Sequence, residues 1–336
     1  MNRPQAASEF RNSREPSISA VITAYNYARF LDTSITSVLN QTHRPDEIIV
    51  VDDGSTDDTA QVVAKYAHAG VRYVYKENGG AGSARNKGIV ESKSDLVAFL
   101  DGDDQWLPDK LALQVEHLRR YPAAGLVTGS EWQIYSNGAE PLWLHRKPVG
   151  AADMYRQILV ENVVGNPSLT LIRRECFERV GMFDETMRLG QDWDMWIRIA
   201  REYPIGVVDA TLILFMRHPG SLTARPAWDR YRSNRVIQGK YIRAERSPLS
   251  RLRLLLAAQS MNCYYTAAAL LEQPAPSWQA RSLALASLLL DPTYETKLKL
   301  GVLFRAMFGR TALLRLRRLV PYRRTAAPPS EFSLTL

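Results

Sequence analysis

Three aspartates, Asp101, Asp103 and Asp104, fall within four positions directly after the apolar run LVAFL. Carboxylates crowded this closely repel one another unless a cation neutralises them. One carboxylate is enough to cap the helix that the sequence predicts from about Pro108, so a solvated capping turn leaves two acids without a role. Oxygen ligands suit Mg²⁺ or Mn²⁺, which take one or two carboxylates together with substrate phosphates. The cluster therefore favours a divalent metal beside a diphosphate.

Four apolar runs between residues 18 and 104 alternate with stretches of helical period, which is the signature of βαβ units. The sequence therefore predicts an α/β fold with a mostly parallel, Rossmann-like sheet flanked by helices. The carboxyl ends of parallel strands meet at one edge, where ligands of such sheets bind. Polar residues also end the three predicted strands before the acid cluster: Thr23, Tyr25 and Asn26 end the first, Asp52 and Asp53 the second, and Glu77, Asn78 and Gly79 the third. Four strand ends with polar residues at one edge of the sheet indicate a ligand site.

The stretch VVDDGSTDDT, residues 50–59, predicts a strand followed by a helix with Ser55 or Thr56 as its N-cap. Neither Asp52 nor Asp53 is needed for that cap. We therefore expect the Asp53 carboxylate, at the strand end, to accept hydrogen bonds from a nucleotide base or a ribose hydroxyl.

The glycine-rich stretch ENGGAGSARNKG, residues 77–88, lacks the spacing of a GxGxxG phosphate loop. Its glycines instead predict a tight turn into a helix. Arg85 lies one turn into that helix, where it either faces a phosphate or has no ligand. For Lys87 a solvated surface charge is the better interpretation.

The stretch LGQDWDMWIRIA, residues 189–200, places Asp192 and Asp194 at or near a helix start, where acids interact favourably with the helix dipole. An acid beside aromatic bulk in a cleft can instead have a raised pKa and act as a general base. His218 stands alone in the loop sequence MRHPGS, where an exposed ring is the ordinary interpretation. The residues by themselves leave these roles open.

The charge of the chain is unevenly distributed. Residues 225–336 contain 19 Lys and Arg against 6 Asp and Glu, a net of +13, whereas residues 1–224 contain 24 against 29, a net of −5. The basic part has a helical pattern, and its segment 303–324 mixes leucine and phenylalanine with seven arginines. Such a region is either a solvated subdomain or an attachment to an anionic membrane. We expect no nucleic-acid partner, because an aromatic-studded sheet and a recognition-helix pattern are both missing.

The sequence predicts a disordered tail at residues 1–16, an α/β domain at 17–224, a basic helical region at 225–324 and a second disordered tail at 325–336. The N-terminus has no apolar segment typical of a secretory signal, and no run of about 18 apolar residues predicts a membrane-spanning helix. The two cysteines, Cys176 and Cys263, lack a CxxC motif and metal-ligand spacing, so two buried or neutral thiols are the better interpretation. Unpaired thiols fit a reducing compartment. These features predict a cytoplasmic protein, with the basic region as a peripheral contact to the inner face of the membrane.

Six motifs stand in order along the chain: TAYN, VVDDGSTDDT, NGGAGSARNKG, FLDGDDQWLPDKL, GQDWDMWIRIA and RHPGSLT. Together they resemble family 2 glycosyltransferases, the nucleotide-sugar enzymes of GT-A fold, over residues 17–224. The resemblance implies a catalytic domain with a nucleotide-binding half, 17–108, and an acceptor half, 109–224. Beyond the resemblance, the helical pattern after Arg225 predicts a C-terminal helical extension.

The resemblance further implies a nucleotide-sugar site, a metal site and a catalytic base. The nucleotide-sugar site would comprise Thr23, Tyr25, Asn26, Asp53, Arg85, Asp101 and Gly102. Asp103, Asp104 and His218 would hold the metal, Mn²⁺ or Mg²⁺. Asp192 would be the base, and Gln191 precedes it where the family often has glutamate.

The activity that the resemblance implies is an inverting, metal-assisted transfer of a sugar from a nucleoside diphosphate sugar, by family habit a UDP-sugar, to a hydroxyl of a glycan or lipid-linked saccharide. It would be non-processive, because a QxxRW motif is not seen in the sequence. Two alternatives stay open. A sugar nucleotidyltransferase would usually show a glycine-rich basic loop after the first strand, where this chain has TAYNYARF. A module that binds nucleotide or glycan without turnover is the other.

Overall fold

The computed structural model describes residues 15–139, 141–146, 151–221, 224–271 and 278–319. The predicted tails 1–16 and 325–336 lie outside these residues, apart from 15 and 16. The described residues form two compact units. The first contains 15–155 and 163–219, and the second contains 156–162 and 220–319.

Nine strands of the described residues form one sheet in the first unit. They are β1 Ile18–Ala24, β2 Glu47–Asp52, β3 Val71–Tyr75, β4 Leu96–Asp101, β5 Gln105–Trp106, β6 Leu126–Tyr135, β7 Leu142–Leu144, β8 Leu171–Arg173 and β9 Ile205–Arg217. The helices, in chain order, are α1 Ala28–Leu39, α2 Thr59–Ala64, α3 Ala81–Glu91, α4 Lys110–Arg120, α5 Ala151–Val160, α6 Arg174–Val180, α7 Gln191–Glu202, α8 Ala227–Ile242, α9 Pro248–Leu270, α10 Trp278–Leu290 and α11 Thr296–Leu319.

The strand order is β3-β2-β1-β4-β8-β6-β9-β5, and β7 pairs with β6. The first four strands in this order are parallel, as the alternating pattern predicts. Beyond β4 the sheet is mixed, because β8 runs antiparallel to both β4 and β6, while β6 and β9 are parallel. The predicted α/β fold is confirmed, but only the half built from β1 to β4 is wholly parallel, whereas the other half is mixed.

Every residue of β1 is buried, and β4 is buried up to Asp101 at its end. Strands covered on both faces by helices read as such continuous apolar runs. On one face α1 contributes Leu31, Ile35 and Val38 at helical spacing, and burial of each side chain stabilises the fold by about 1.5–3 kcal/mol. The sheet core therefore holds the strand ends, and the polar residues at them, in fixed register.

Helix α3 lies unusually close to β1. A Cβ added at Gly88 would come within 2.2 Å of Val21 Cγ1, so only glycine allows this approach. Because α3 carries Arg85 one turn earlier, the glycine helps to fix where that side chain reaches the sheet edge.

The second unit contains α8 to α11 and residues 156–162, and has its own small core, which includes Ala267, Leu270, Ala280, Ala284 and Ala306. Alanines at these positions let the helices approach closely. The predicted C-terminal helices are confirmed as far as residue 319. Among the described helices, none combines the length and hydropathy that crossing a bilayer requires.

Candidate active site

The ends of β1 and β4 bring the first predicted residues together. Thr23 and Asp101 are register partners, and Thr23 Oγ1 donates to Asp101 Oδ1 at 3.1 Å. Arg85 Nη2, from α3, donates to the same oxygen at 2.6 Å. Arg85 is only 4% exposed, and its Nε has no hydrogen-bond partner among the described residues. A buried donor that lacks a partner costs free energy, so this nitrogen indicates a place for a ligand acceptor.

Asp103 contacts His218, which lies 115 positions later at the end of β9. His218 Nε2 and Asp103 Oδ2 are 3.0 Å apart, and both side chains are buried. Burial raises the pKa of Asp103, and the hydrogen bond with His218 opposes that rise. The imidazole packs against the rings of Tyr27 and Phe30. His218 is therefore buried beside the acid cluster, whereas an isolated histidine in a loop sequence would ordinarily be exposed.

Asp104 is fully buried, and both of its carboxylate oxygens accept hydrogen bonds from the protein. Ser168 Oγ donates to Oδ2 at 2.6 Å, and the Met216 backbone N–H donates to Oδ1 at 3.0 Å. Burial and the neighbouring Asp103 raise the pKa of Asp104 well above its ordinary value. In this arrangement Asp104 ties the acid loop to β9 and to the turn at Pro167–Leu169.

Gly102 fits the acid loop tightly against β1. Its backbone N–H donates to the Thr23 carbonyl oxygen at 2.8 Å. A Cβ added to Gly102 would lie 3.0 Å from that same oxygen. The close approach therefore favours glycine between the two acids of the cluster.

Among the described residues, no group of three or more His, Cys, Asp or Glu side chains is arranged as a complete metal site. The Asp103–His218 pair supplies one oxygen and one nitrogen donor, which fits a divalent ion whose remaining ligands come from substrate phosphates and water. The donor set is thus compatible with Mn²⁺ or Mg²⁺ bound together with a diphosphate.

The predicted ligand residue Asp53 is buried and already accepts three hydrogen bonds. They come from Lys76 Nζ at 2.7 Å and from the backbone N–H groups of Gly79 at 2.9 Å and Gly80 at 2.7 Å. These bonds fix the turn that enters α3, where Gly80 has a φ of 86°. Asp53 therefore positions the start of α3 and, through it, Arg85.

The prediction that Ser55 or Thr56 caps α2 is wrong. The helix begins at Thr59, whose backbone N–H is accepted by Asp57 Oδ1 at 3.1 Å. The two predicted caps face β1 instead, because Asn26 Oδ1 accepts the Thr56 backbone N–H and Ser55 Oγ accepts the Asn26 backbone N–H. Asn26 has a φ of 55°, a conformation that asparagine tolerates better than most residues.

Tyr25 and Asp52 lie at the same edge with different surroundings. The Tyr25 ring is 48% exposed, which leaves an aromatic face open to solvent. Asp52 is buried and is engaged on both oxygens, by the Ser55 backbone N–H at 2.8 Å and by the Tyr73 hydroxyl at 2.7 Å. Asp52 therefore supports the loop, whereas Tyr25 has a free surface for a ligand.

Asp192 is the second residue of α7, which follows Gly190 in the left-handed region at φ 76°. Burial raises the pKa of Asp192, and the charge of Arg85 opposes that rise. Asp194 is instead buried in an ion pair, with Arg198 Nε donating to Asp194 Oδ2 at 2.9 Å. Of the two acids, Asp192 is the one with the surroundings of a general base.

Gln191 precedes Asp192 and is 5% exposed. Its Oε1 has no hydrogen-bond partner among the described residues. The Gln191 Cγ lies 3.6 Å from the place that a Cβ on Gly82 would occupy, so the starts of α7 and α3 are adjacent. Arg85 thus pairs with Asp101 and also influences the pKa of Asp192, so the predicted Asp101, Arg85 and Asp192 are electrostatically linked.

The sequence does not predict Ser168, whose hydroxyl forms hydrogen bonds with the acid cluster. Its hydroxyl is fully buried, donates to Asp104 Oδ2 and accepts the Asp101 backbone N–H at 3.0 Å. The serine lies 64 and 67 positions from its partners, so no local pattern could have identified it. The same holds for Lys76, which contacts Asp53 across the ends of neighbouring strands.

Ser168→Ala is expected to lower the free energy of unfolding by about 1–3 kcal/mol, because it leaves two buried partners of the hydroxyl unsatisfied. Urea titration followed by tryptophan fluorescence measures the loss. Ser34→Ala is the matched control, since Ser34 Oγ is equally buried and has no hydrogen-bond partner among the described residues. That change should be neutral or stabilising, and an equal loss in both variants would contradict the role given to Ser168.

A model described as Glycosyl transferase family 2 matches residues 19–181. An uncharacterised glycosyltransferase of Rickettsia prowazekii is 30% identical over 217 residues, which are 63% of this chain and 68% of that protein. TuaG of Bacillus subtilis, provisionally named a teichuronic acid biosynthesis glycosyltransferase, is 32% identical over 193 residues, 56% of this chain and 73% of TuaG. The chain spans 61% of a relative from Rickettsia typhi and 33% of one from Rickettsia conorii.

Two solved structures share the fold. TarS 1-349 of S. aureus in complex with UDP-GlcNAc superposes with a TM-score of 0.62 at 18% identity, covering 91% of this chain and 93% of TarS 1-349. The mannosyltransferase PcManGT of Pyrobaculum calidifontis, in complex with GDP-Man and Mn²⁺, has a TM-score of 0.55 at 20% identity, covering 90% and 93%. At these identities the likeness concerns the arrangement of strands and helices.

Proposed function

The chain belongs to glycosyl transferase family 2, and from that premise we propose that it transfers a sugar from a nucleoside diphosphate sugar to a hydroxyl of a glycan or lipid-linked saccharide. The observation that carries the proposal is the Arg85–Asp101 pair, whose Arg85 Nε has no partner among the described residues, together with Asp192, whose raised pKa responds to the charge of Arg85. A cation beside a strand end suits a phosphate, and the base suits an acceptor hydroxyl.

We propose a UDP-sugar as the donor, bound along the ends of β1, β2 and β4. The similar fold of TarS, solved with UDP-GlcNAc and with UDP, supports a uridine nucleotide. The exposed Tyr25 ring offers a face on which a base can stack. The residues proposed to contact the donor are Thr23, Tyr25, Asn26, Asp53, Arg85, Asp101 and Gly102.

The proposed metal is Mn²⁺ or Mg²⁺, held by Asp103 and His218, with Asp104 adjoining. When bound, the ion neutralises charge that develops on the departing diphosphate. His218 and Asp103 are held together at 3.0 Å by packing of the imidazole, so both donors are preorganised. Asp104 keeps the loop in place through its bonds to Ser168 and β9.

Asp192 is the proposed general base. Its ionised carboxylate takes the proton of the acceptor hydroxyl while that oxygen attacks the anomeric carbon from the face opposite the diphosphate. One bond from the acceptor oxygen to the sugar forms and the bond from the sugar to the diphosphate breaks, so the configuration inverts in a single displacement. Arg85, paired with Asp101, adds positive charge near the leaving group.

The second unit is proposed to contact the anionic inner face of the cytoplasmic membrane. The net charge of +13 over residues 225–336 supports this. The segment 303–324, which suggested the contact from sequence, lies partly outside the described residues. A lipid-linked acceptor would be presented at the same surface.

The decisive experiment incubates the full chain with Mn²⁺, a mixture of saccharide acceptors that supply the attacking hydroxyl, and a panel of UDP-, GDP- and other nucleoside diphosphate sugars. Release of a nucleoside diphosphate that requires Mn²⁺ is the expected result. Thermal unfolding identifies the donor, because a ligand at 100 times its Kd stabilises by about 2.7 kcal/mol. Release of pyrophosphate from a sugar phosphate and nucleoside triphosphate would indicate the nucleotidyltransferase instead. Binding without release by the wild-type chain would indicate a module without turnover.

A further inference from the structure

The second unit contains a cavity of about 520 Å³ between the first two turns of α9 and the end of α10. Basic, hydroxyl and leucine side chains share its lining, which includes Arg156, Ser247, Leu249, Ser250, Arg253 and Leu256. These lining residues belong to the second unit, whereas the residues proposed for catalysis belong to the first. The catalytic proposal therefore does not involve this cavity.

Two arginines give the cavity its charge. Within the part of the chain that the structure describes, neither Arg156 nor Arg253 makes an ion pair or side-chain hydrogen bond, and both are exposed. Asp291, the acid of the lining, is engaged by its own loop, since its Oδ1 accepts from the Thr293 hydroxyl and backbone N–H. The lining therefore carries two arginines without an ion pair against one aspartate, a net positive charge, together with the hydroxyl of Ser250.

The rim of the cavity includes exposed leucines. Leu249 and Leu256 line the cavity and are 58% and 37% exposed, and Leu252, which lies on the same face of α9, is 53% exposed. Leu290, at the end of α10, also lines the cavity. Large aliphatic side chains left in water beside unpaired cations are the pattern of a surface that lies in a lipid interface.

We propose that this cavity binds the phosphate headgroup of an anionic phospholipid, with the rim leucines inserted among the acyl chains. The charge of the unit favours an anionic partner, and the exposed leucines favour a bilayer over a free anion. The inference deepens the proposed membrane contact and rests on it. It places the contact on α9 and α10, in contrast to the arginine-rich segment 303–324.

The test measures flotation of the full chain with vesicles of phosphatidylcholine alone and of phosphatidylcholine with phosphatidylglycerol. Each basic side chain at such a surface contributes about 1 kcal/mol, a factor of about five. Arg156→Ala combined with Arg253→Ala should therefore weaken binding to the anionic vesicles by about 25-fold. Arg232→Ala combined with Arg235→Ala removes the same charge from exposed positions on α8 outside the cavity and should change binding little.

Leu249→Ser combined with Leu256→Ser supplies a second, uncharged probe and should also weaken flotation. Equal losses in the two arginine pairs would overturn the site, because charge alone would then govern binding. Unchanged flotation in the cavity variants would overturn it as well. Thermal stabilisation of the chain by glycerol phosphate, with no binding to vesicles, would overturn the membrane assignment in favour of a soluble anion.

Release of nucleoside diphosphate with a soluble acceptor separates this inference from the proposed transferase. Both arginine pairs should retain that activity, since none of these side chains belongs to the catalytic cleft. Loss of flotation with retained activity supports the headgroup site. Retained flotation in the cavity variants refutes the site and leaves the transferase proposal unaffected.

Discussion

Asp192→Asn is expected to lower kcat for sugar transfer by a factor of about 10²–10⁴, with donor binding retained. Asparagine matches aspartate in shape but cannot take a proton from the acceptor hydroxyl. Burial raises the pKa of Asp192, and the base works only when ionised, so wild-type activity should fall as the pH drops through that raised value. Initial rates over a pH series, with donor Kd from calorimetry, measure both effects.

Protonation of Asp192 also affects stability, with a defined sign. Because the folded-state pKa lies above the unfolded one, this carboxyl favours folding fully below its unfolded pKa and loses that contribution as the pH rises through the folded value. Asp192→Asn should therefore be neutral or stabilising at neutral pH. A drop in activity accompanied by a large loss of stability would point to a structural role and not to a base.

Asp194→Asn is the matched contrast for this prediction. It removes a carboxylate two positions away that is buried in the ion pair with Arg198. Loss of one partner of such a pair costs a few kcal/mol of stability, and kcat of the folded fraction should change little. The assignment of the base would be wrong if Asp194→Asn abolished turnover and Asp192→Asn did not.

Asp103→Asn is expected to lower kcat/KM by at least about 100-fold, because a Lewis acid at the leaving group contributes several kcal/mol and about 1.36 kcal/mol corresponds to tenfold. The Mn²⁺ concentration needed for half-maximal rate should rise as well. Calorimetric titration of Mn²⁺ into the chain with UDP present gives a readout that does not depend on turnover.

Asp104→Asn provides the comparison within the same cluster. Since both Asp104 oxygens accept protein hydrogen bonds, an amide nitrogen there would face a donor, and stability should fall by about 1–3 kcal/mol. The Mn²⁺ requirement of the folded protein should stay close to that of the wild type. An unchanged Mn²⁺ dependence in Asp103→Asn would show that the ion is held elsewhere.

The sequence predicted the parts of the site that depend on strand ends. Parallel strands align their carboxyl ends, so the order of the apolar runs is enough to predict that Thr23 and Asp101 meet. The family resemblance supplied candidate roles for Asp192 and His218, and the structure puts both beside the predicted strand ends. Those roles stay predictions that the substitutions above test.

The misses share a physical cause, which is competition between local and distant partners. Ser55 and Thr56 have the chemistry of helix caps, but both residues hydrogen-bond to Asn26 on the neighbouring loop instead. Ser168 sits in an ordinary turn until β4 and β8 pair and bring it below the acids. Contacts between side chains about 30–70 positions apart depend on the completed sheet, so a short window of sequence does not predict them.

The contacts of Asp103 and Asp104 with the end of β9 have a consequence for biosynthesis. His218 and the backbone N–H of Met216 leave the ribosome 115 and 112 residues after the acids that they meet. A nascent chain that ends before residue 218 therefore lacks the His218 partner of Asp103. Under the proposed metal assignment, a product truncated before the end of β9 should not bind the ion.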